Sequence, residues 1–152
     1  MTWFDTENGQ RLLDAEEAIL RDFLEDKFGY FSLQTNYIGR NLLKNTRMAH
    51  HLLIDGPERN VTCNFNQLPF DSDSIDLIIS PHQLECNGDI NSLFSELFRV
   101  AIPGGRVAIF SFNPYSFAGL RSFACFDNYT PWNSKFISLS FAQKKLKDAG
   151  FT

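Results

Sequence analysis

Hydrophobic and polar positions change period twice between Gln67 and Ser116, and that stretch organises the chain. Ile75-Asp76-Leu77-Ile78-Ile79-Ser80 is a nearly continuous apolar run, the pattern of a strand covered on both faces. Asp89 then stands as an N-cap before Ile90, Leu93, Phe94, Leu97 and Phe98, which recur at helical spacing. Pro103-Gly104-Gly105 is expected to stop that helix, glycine being suited to a left-handed C-terminal position. A second branched apolar run follows at residues 106–112. Strand, crossover helix and strand make a βαβ unit, whose two strands are expected to be parallel.

Upstream, Asn8-Gly9 reads as a turn after Trp3-Phe4. Residues 10–27 carry Leu13, Leu20 and Leu24 on one stripe, widened by Leu12, Ile19 and Phe23, and predict an amphipathic helix ended by Gly29. Residues 30–34 predict a strand, residues 40–48 a short helix, and residues 50–55 a second strand ending on Asp55. Only residues 56–60 separate it from Val61-Thr62-Cys63-Asn64. That is too short for a parallel crossover, which leaves an antiparallel piece or an extended edge. Residues 117–136 form a long connection rich in phenylalanine, with Tyr129 and Trp132, and its aromatics either cap an apolar substrate or cover the sheet. Ser138 caps a last helix over residues 139–149, with Lys144, Lys145 and Lys147 towards its negative end and Gly150 closing it.

Composition narrows the classes. The 152 residues suffice for one domain with a real core. A net charge of −4 with no basic stripe gives no attraction for nucleic acid. Cys63, Cys86 and Cys125 are widely spaced and odd in number, which argues against a disulfide framework or a zinc site and for reduced thiols. No run approaches the ~18 apolar residues of a membrane span, and the first ten residues do not read as a signal peptide. A cytoplasmic protein is expected.

Taken together, LPF-D-x-D-S-I-D-L-I-I-S, then H-Q-L-E, then F-R-V-A-I-P-G-G-R-V-A-I-F resembles the class I S-adenosylmethionine-dependent methyltransferases, nearest to those with a type 11 methyltransferase domain. The resemblance implies an α/β fold: a Rossmann-like, mostly parallel sheet with helices on both faces. Its first strand would lie beside residues 75–80, and the usual C-terminal strand pair would be lacking. It implies a single methyltransferase-like domain over 1–152, with an N-terminal helical segment at 1–29, a cofactor-binding core at 30–116, and an aromatic loop and last helix at 117–152.

The same resemblance implies a site. The family's glycine-rich cofactor loop falls after the first strand, where this chain offers Gly39, with Asn36 at the place of another glycine. Asn is among the few other residues that tolerate positive φ. Asp55 would accept hydrogen bonds from both ribose hydroxyls, as an acid at the end of the second strand can; read from the residues alone, it is a solvated turn aspartate. Asn64, Phe65 and Leu68 match the segment bordering the adenine, Asn64 with an amide for the base and Phe65 with an apolar face; a plain turn pinned by Pro69 has equal weight. His82 matches a position near the methionine part of the cofactor. Trp3 and Phe4 would contribute to a lid.

His82, Glu85 and Cys86 crowd within five residues, but a strand-to-helix loop rarely aims three such groups at one ion, so no metal site is expected. His82 has the pKa range of a general base, yet the family acts mostly by positioning, and no catalytic residue is assigned. Asn113-Pro114-Tyr115 resembles an amine-gripping motif but follows the wrong strand, and turn chemistry accounts for it.

Two functions remain in view. One is an S-adenosylmethionine-dependent methyltransferase acting on a small-molecule substrate. The other is a non-catalytic scaffold or interaction module that has lost the cofactor with its glycine loop. A nicotinamide enzyme is disfavoured, because no G-x-G-x-x-G follows the first strand. Members of the family usually continue into two more strands. The run from Arg106 to Phe112 would therefore be an open edge, implying either a fragment of a longer protein or a partner on that edge, with a homodimer as the natural form.

Overall fold

The computed structural model describes residues 3–36, 38–54, 63–86, 88–115 and 136–151. A 3₁₀ turn, Trp3–Asp5, leads into α1 (Glu7–Leu24). Then come β1 (Phe28–Gln34), β2 (Arg47–Leu53), β3 (Ile75–Pro81), the single-turn α2 (Gln83–Cys86), α3 (Ile90–Val100), β4 (Ala101–Phe110) and α4 (Leu139–Ala149). The strands form one sheet in the order β2-β1-β3-β4. Every neighbouring pair is parallel, and β1 lies beside β3 in the register Ser32 with Leu77 and Leu33 with Ile78. This is the expected Rossmann-like arrangement.

Alternation along the strands separates two cores. Leu77 and Ile79 face one side and pack with Leu20 and Leu24 of α1 and with Leu42, Leu43 and Leu53. Leu33 and Ile78 face the other, against Leu93, Phe94 and Leu97 of α3, with Leu146 and Ala149 of α4 closing over them. Helices therefore cover both faces, which is why β3 is apolar on both sides of its pleat.

The helix boundaries follow their caps. Asp89 caps α3 by accepting from the Ser92 amide at 3.2 Å, and Ser138 caps α4 by accepting from the Phe141 amide at 3.3 Å. Gly150 ends α4 in the left-handed region. Where α1 begins, the expectation of a turn at Asn8-Gly9 fails. Thr6 is the cap, its hydroxyl accepting from the Gly9 amide, and Gly9 lies in the first helical turn. A Cβ on Gly9 would come within 2.4 Å of the Trp3 carbonyl oxygen, so glycine there lets the 3₁₀ turn fold back onto the helix.

Two further expectations are corrected. The helix anticipated over residues 40–48 is absent; that segment is bends and turns until β2 starts at Arg47. The cause is Gln34, fully buried, whose amide nitrogen donates to the carbonyls of Asn36 and Arg40 and whose amide oxygen accepts from Leu42, all at 2.8–2.9 Å. The backbone groups a helix would use are taken by one side chain. Likewise Pro103-Gly104-Gly105 does not end α3. The helix stops at Val100, and β4 starts at once in register with β3 at Ala101, skips, and resumes at Arg106. Gly104, in the left-handed region, sits in that bulge. Asn64 bridges antiparallel to Gln67 as a tight turn, not as a strand of the sheet.

Candidate functional site

In an open parallel sheet, ligands bind outside the carboxyl ends of the strands, where the strand order reverses. With β2 on one side of β1 and β3 on the other, that point lies above β1 and β3. The loop after β1 and the turn after β3 meet there. Thr35 donates from its hydroxyl to Ser80 Oγ at 3.0 Å, and Asn36 Nδ2 donates to the Pro81 carbonyl at 3.1 Å. Gly39 has φ +83°, a conformation for which glycine is needed, and a Cβ there would meet only Asp5 Oδ1, at 3.8 Å. Asn36 does not take the left-handed conformation anticipated for it; its side chain ties the two loops together instead.

His82 closes β3, and its backbone is in the left-handed region at φ +52°. Its amide donates to the Phe110 carbonyl at 2.8 Å, so the turn is held to the end of β4. The imidazole is buried between the rings of Phe4 and Phe112, with centroids 4.9 and 4.6 Å away. Nε2 lies 3.1 Å from Glu16 Oε1 and 3.3 Å from Oε2, while Nδ1 lies 3.9 Å from Glu85 Oε1. Glu85 in turn accepts from the Phe112 amide at 2.6 Å. Burial disfavours the charged ring, but the hydrogen bond to Glu16 and the nearby carboxylates of Glu16 and Glu85 outweigh it and raise the His82 pKa to about 9.

The N-terminal segment roofs this place. Trp3 and Phe4 pack edge to face with each other, and both rings touch Phe112, which stacks on Phe136. Gln10 of α1 donates to the Phe4 carbonyl at 2.7 Å. Arg40, next to Gly39, donates to Asp14, Glu17 and Gln10 of α1. Trp3 and Phe4, the residues expected to contribute to a lid, thus lie against Phe112, and Phe4 against His82.

The remaining candidates fall elsewhere. Asn64 is exposed and its Oδ1 accepts from the Asn66 amide at 3.0 Å. Phe65 packs against the core that buries Leu68 together with Leu33, Ile54 and Leu84. The Leu68 amide donates to Glu96 of α3, and Arg99 donates to the carbonyls of Leu68 and Phe70, which clamps that segment to the helix. Asp55 lies outside the described residues, as do Cys125 and nearly all of the aromatic connection.

Glu16 was missed in the sequence, although a signal was there. It stands between Leu13 and Leu20 on the apolar stripe of α1, a place where a carboxylate is buried only with a partner. Gln34 was missed for the same reason in reverse, since a polar residue ending an apolar strand reads as its exposed terminus.

The fold and the crevice define a protein of the Rossmann-like methyltransferase class. A sequence profile of the family described as "Methyltransferase domain" matches residues 33–109, from the last turn of β1 through β4. The chain belongs to the class I S-adenosylmethionine-dependent methyltransferase family. An uncharacterized protein of Escherichia coli K12, YafS, is 27% identical over 141 residues, 90% of this chain and 59% of that protein's length. The chain therefore spans less than two thirds of this relative. Among solved structures, an S-adenosylmethionine-dependent methyltransferase of Thermotoga maritima, described as a possible histamine N-methyltransferase, superposes with a TM-score of 0.73 at 17% identity, covering 91% of this chain and 70% of that one. Geranyl diphosphate C-methyltransferase of Streptomyces coelicolor, solved with S-adenosyl-L-homocysteine, gives 0.69 at 17% identity, covering 92% and 61%. At such identities the superpositions speak for the fold. No helix among the described residues is long and apolar enough to cross a membrane.

Proposed function

We propose that this chain binds S-adenosylmethionine in the crevice above β1 and β3 and transfers its methyl group to a small molecule. The observation that carries this is the tie between the loop after β1, which holds Asn36 and Gly39, and the end of β3 just before His82, at the switch point of a sheet whose sequence matches the methyltransferase profile. The residues fit the cofactor there: a Cβ on Gly39 would meet nothing nearer than Asp5 Oδ1, at 3.8 Å, and the rings of Trp3, Phe4 and Phe112 lie against His82 or one another. Asp55 would hold the ribose hydroxyls, Asn64 the adenine edge, Phe65 and Leu68 its apolar border, and His82 the amino-acid end. The cofactor supplies a methyl group on a positively charged sulfur. The chain's own part is to hold that group in line with the acceptor and exclude water, so the rate would rest on proximity and orientation. His82 is held protonated at neutral pH and is poorly placed to act as a base.

Calorimetry with S-adenosylmethionine and S-adenosylhomocysteine tests this, saturable binding being the expected result. Asp55→Ala would remove two charge-assisted hydrogen bonds, each worth ~1.5–3 kcal/mol, and weaken binding at least roughly tenfold. Unchanged affinity in that variant would reject the ribose role. One observation favours the scaffold reading: Gly39 stands alone in the loop, and Asn36 is committed to Pro81. No heat with either ligand would decide for the scaffold.

The chain is further proposed to work in the cytoplasm as a homodimer. Among the described strands β4 ends the sheet, and cavities of about 400 and 460 Å³ lie along it between Val107 and α4. Such an edge is a template for a second copy. Light scattering should show a dimer that Ile109→Lys weakens while circular dichroism stays unchanged; a monomer at high concentration would remove this proposal.

A further inference from the structure

We propose that Glu16 is the positioning residue of the crevice: its carboxylate pins His82 by Nε2, and so joins α1 to the β3–α2 turn as one rigid wall. This rests on the crevice being the cofactor site.

The geometry is specific. Glu16 and His82 are 8% and 2% exposed, and both carboxylate oxygens lie within 3.3 Å of one ring nitrogen. A buried carboxylate on an apolar helix stripe costs several kcal/mol unless it is paired. A leucine at position 16 would complete the stripe of α1, so stability alone does not call for an acid there. His82 also sits at positive φ without being glycine, a strain that persists only where the surroundings hold it. Its amide is held by Phe110, its ring faces by Phe4 and Phe112, and its Nε2 by Glu16. The ring is therefore fixed in tilt and in rotation about its axis.

Glu16 also lines the cavity of about 400 Å³ that runs from Leu84, Phe110 and Ser111 towards α4. Of the charged groups facing the imidazole, Glu16 comes from α1 and Glu85 from α2; the 3₁₀ turn and the segment after β4 present the uncharged rings of Phe4 and Phe112. Among the described residues Nδ1 has no hydrogen-bond partner, with Glu85 Oε1 at 3.9 Å.

The sign of the pH dependence follows. The folded His82 binds its proton more tightly than the unfolded one, with a pKa of about 9 against 6.5. The contribution of the pair to stability is complete below pH 6.5 and is lost as pH rises through 9.

The test is a nitrogen-15 NMR titration of the histidine side chains in the full chain, with His82 assigned by loss of its signals in His82→Gln. Both ring nitrogens of His82 should stay protonated through neutral pH and titrate near 9. Glu16→Gln should bring that titration below 7, and Glu16→Asp should restore part of the shift. Wild-type His82 titrating at its ordinary value, or a titration indifferent to Glu16→Gln, overturns the proposal. The second arm is calorimetry with S-adenosylhomocysteine at neutral pH, where Glu16→Gln should weaken binding at least roughly tenfold and Glu16→Asp less. Unchanged affinity with a collapsed His82 pKa also overturns it. If the wild-type protein binds no S-adenosylhomocysteine, the cofactor reading fails along with this role, while the titration still shows whether the pair exists.

Discussion

Two of the crossovers of this sheet solve one problem by opposite means. Between β3 and β4 the chain spends α2 and α3 on the return and buries Leu93, Phe94, Leu97 and Val100 against the sheet. Between β1 and β2 it returns through residues 35–46, with no helix among the described residues of that segment. Leu42 and Leu43 are buried there, but the path of the chain is set by the hydrogen bonds of Gln34. The first solution is redundant, with many apolar contacts each replaceable in kind. The second is concentrated, with one amide satisfying three backbone groups. It also contains Gly39, so the concentrated crossover borders the crevice directly, across from His82 at the start of the helical one.

The comparison implies that the first crossover carries more stability and the second more of the site. Phe94→Ala, at a position 1% exposed, should lower unfolding free energy by about 3–5 kcal/mol through lost burial and the cavity left behind. Urea melts followed by circular dichroism would measure it. Binding by the fraction still folded should be nearly unchanged, since Phe94 belongs to the core facing away from α1. A large loss of ligand affinity in the folded fraction would show that the two crossovers are not separable.

Gln34→Leu is the counterpart. It keeps an apolar body but leaves the buried Leu42 amide and the carbonyls of Asn36 and Arg40 without their partner, at a cost of about 1–3 kcal/mol for the stranded amide. The loss should be local. Amide exchange should quicken across residues 38–46 while α3 stays protected, and any S-adenosylhomocysteine binding should fall further than in Phe94→Ala. Uniform quickening across the sheet would mean that Gln34 supports the whole fold rather than one loop.

This difference also decides what the sequence made legible. The helical crossover announced itself by period: Ile90, Leu93, Phe94 and Leu97 repeat, Asp89 caps, and β3 is apolar throughout. From those the parallel pairing of β3 with β4 was readable, and the place of β1 beside β3 came from the family resemblance. The other crossover has no period. Its segment 40–48 contains enough leucine to suggest a helix, and the reason it is not one is a glutamine six residues upstream of Arg40, visible only when the chain is folded. The site divides the same way. Gly39 was marked by the resemblance to the family's glycine loop, and its φ of +83° is one that favours glycine, whereas the Glu16–His82 pair joins residues 66 positions apart and leaves only the misplaced charge on a helix stripe. Asn36 shows the limit of residue-type reasoning: suited to a left-handed turn, it serves here as an amide donor to Pro81.

A mixed case offers the finest test. The segment from Leu68 to Ser72 is held not by apolar repetition but by a polar clamp on the helical crossover itself. Glu96 accepts the Leu68 amide at 2.9 Å, and Arg99 donates to the carbonyls of Leu68 and Phe70 and to Ser72 Oγ, while the two side chains bind each other at 2.8 Å. If concentrated polar contacts serve the site and distributed apolar ones the fold, breaking the clamp should alter the loop and spare the helix. Arg99→Met keeps the aliphatic stem and removes the fork. The side chain is about one third exposed, so water replaces part of what is lost, and the stability cost should be only about 1 kcal/mol. The carboxyl of Glu96, held below its usual range by the Arg99 hydrogen bond, should titrate higher in the variant. A depressed carboxyl stabilises the fold above its unfolded pKa and loses that contribution as pH falls, so the acid limb of the wild-type melting curve should flatten in Arg99→Met. Amide shifts should move across residues 64–70 and stay fixed across residues 90–98. A melting curve with the same acid limb in both proteins would show that the clamp is a surface contact, and that the segment bordering Leu68 is held by the apolar core alone.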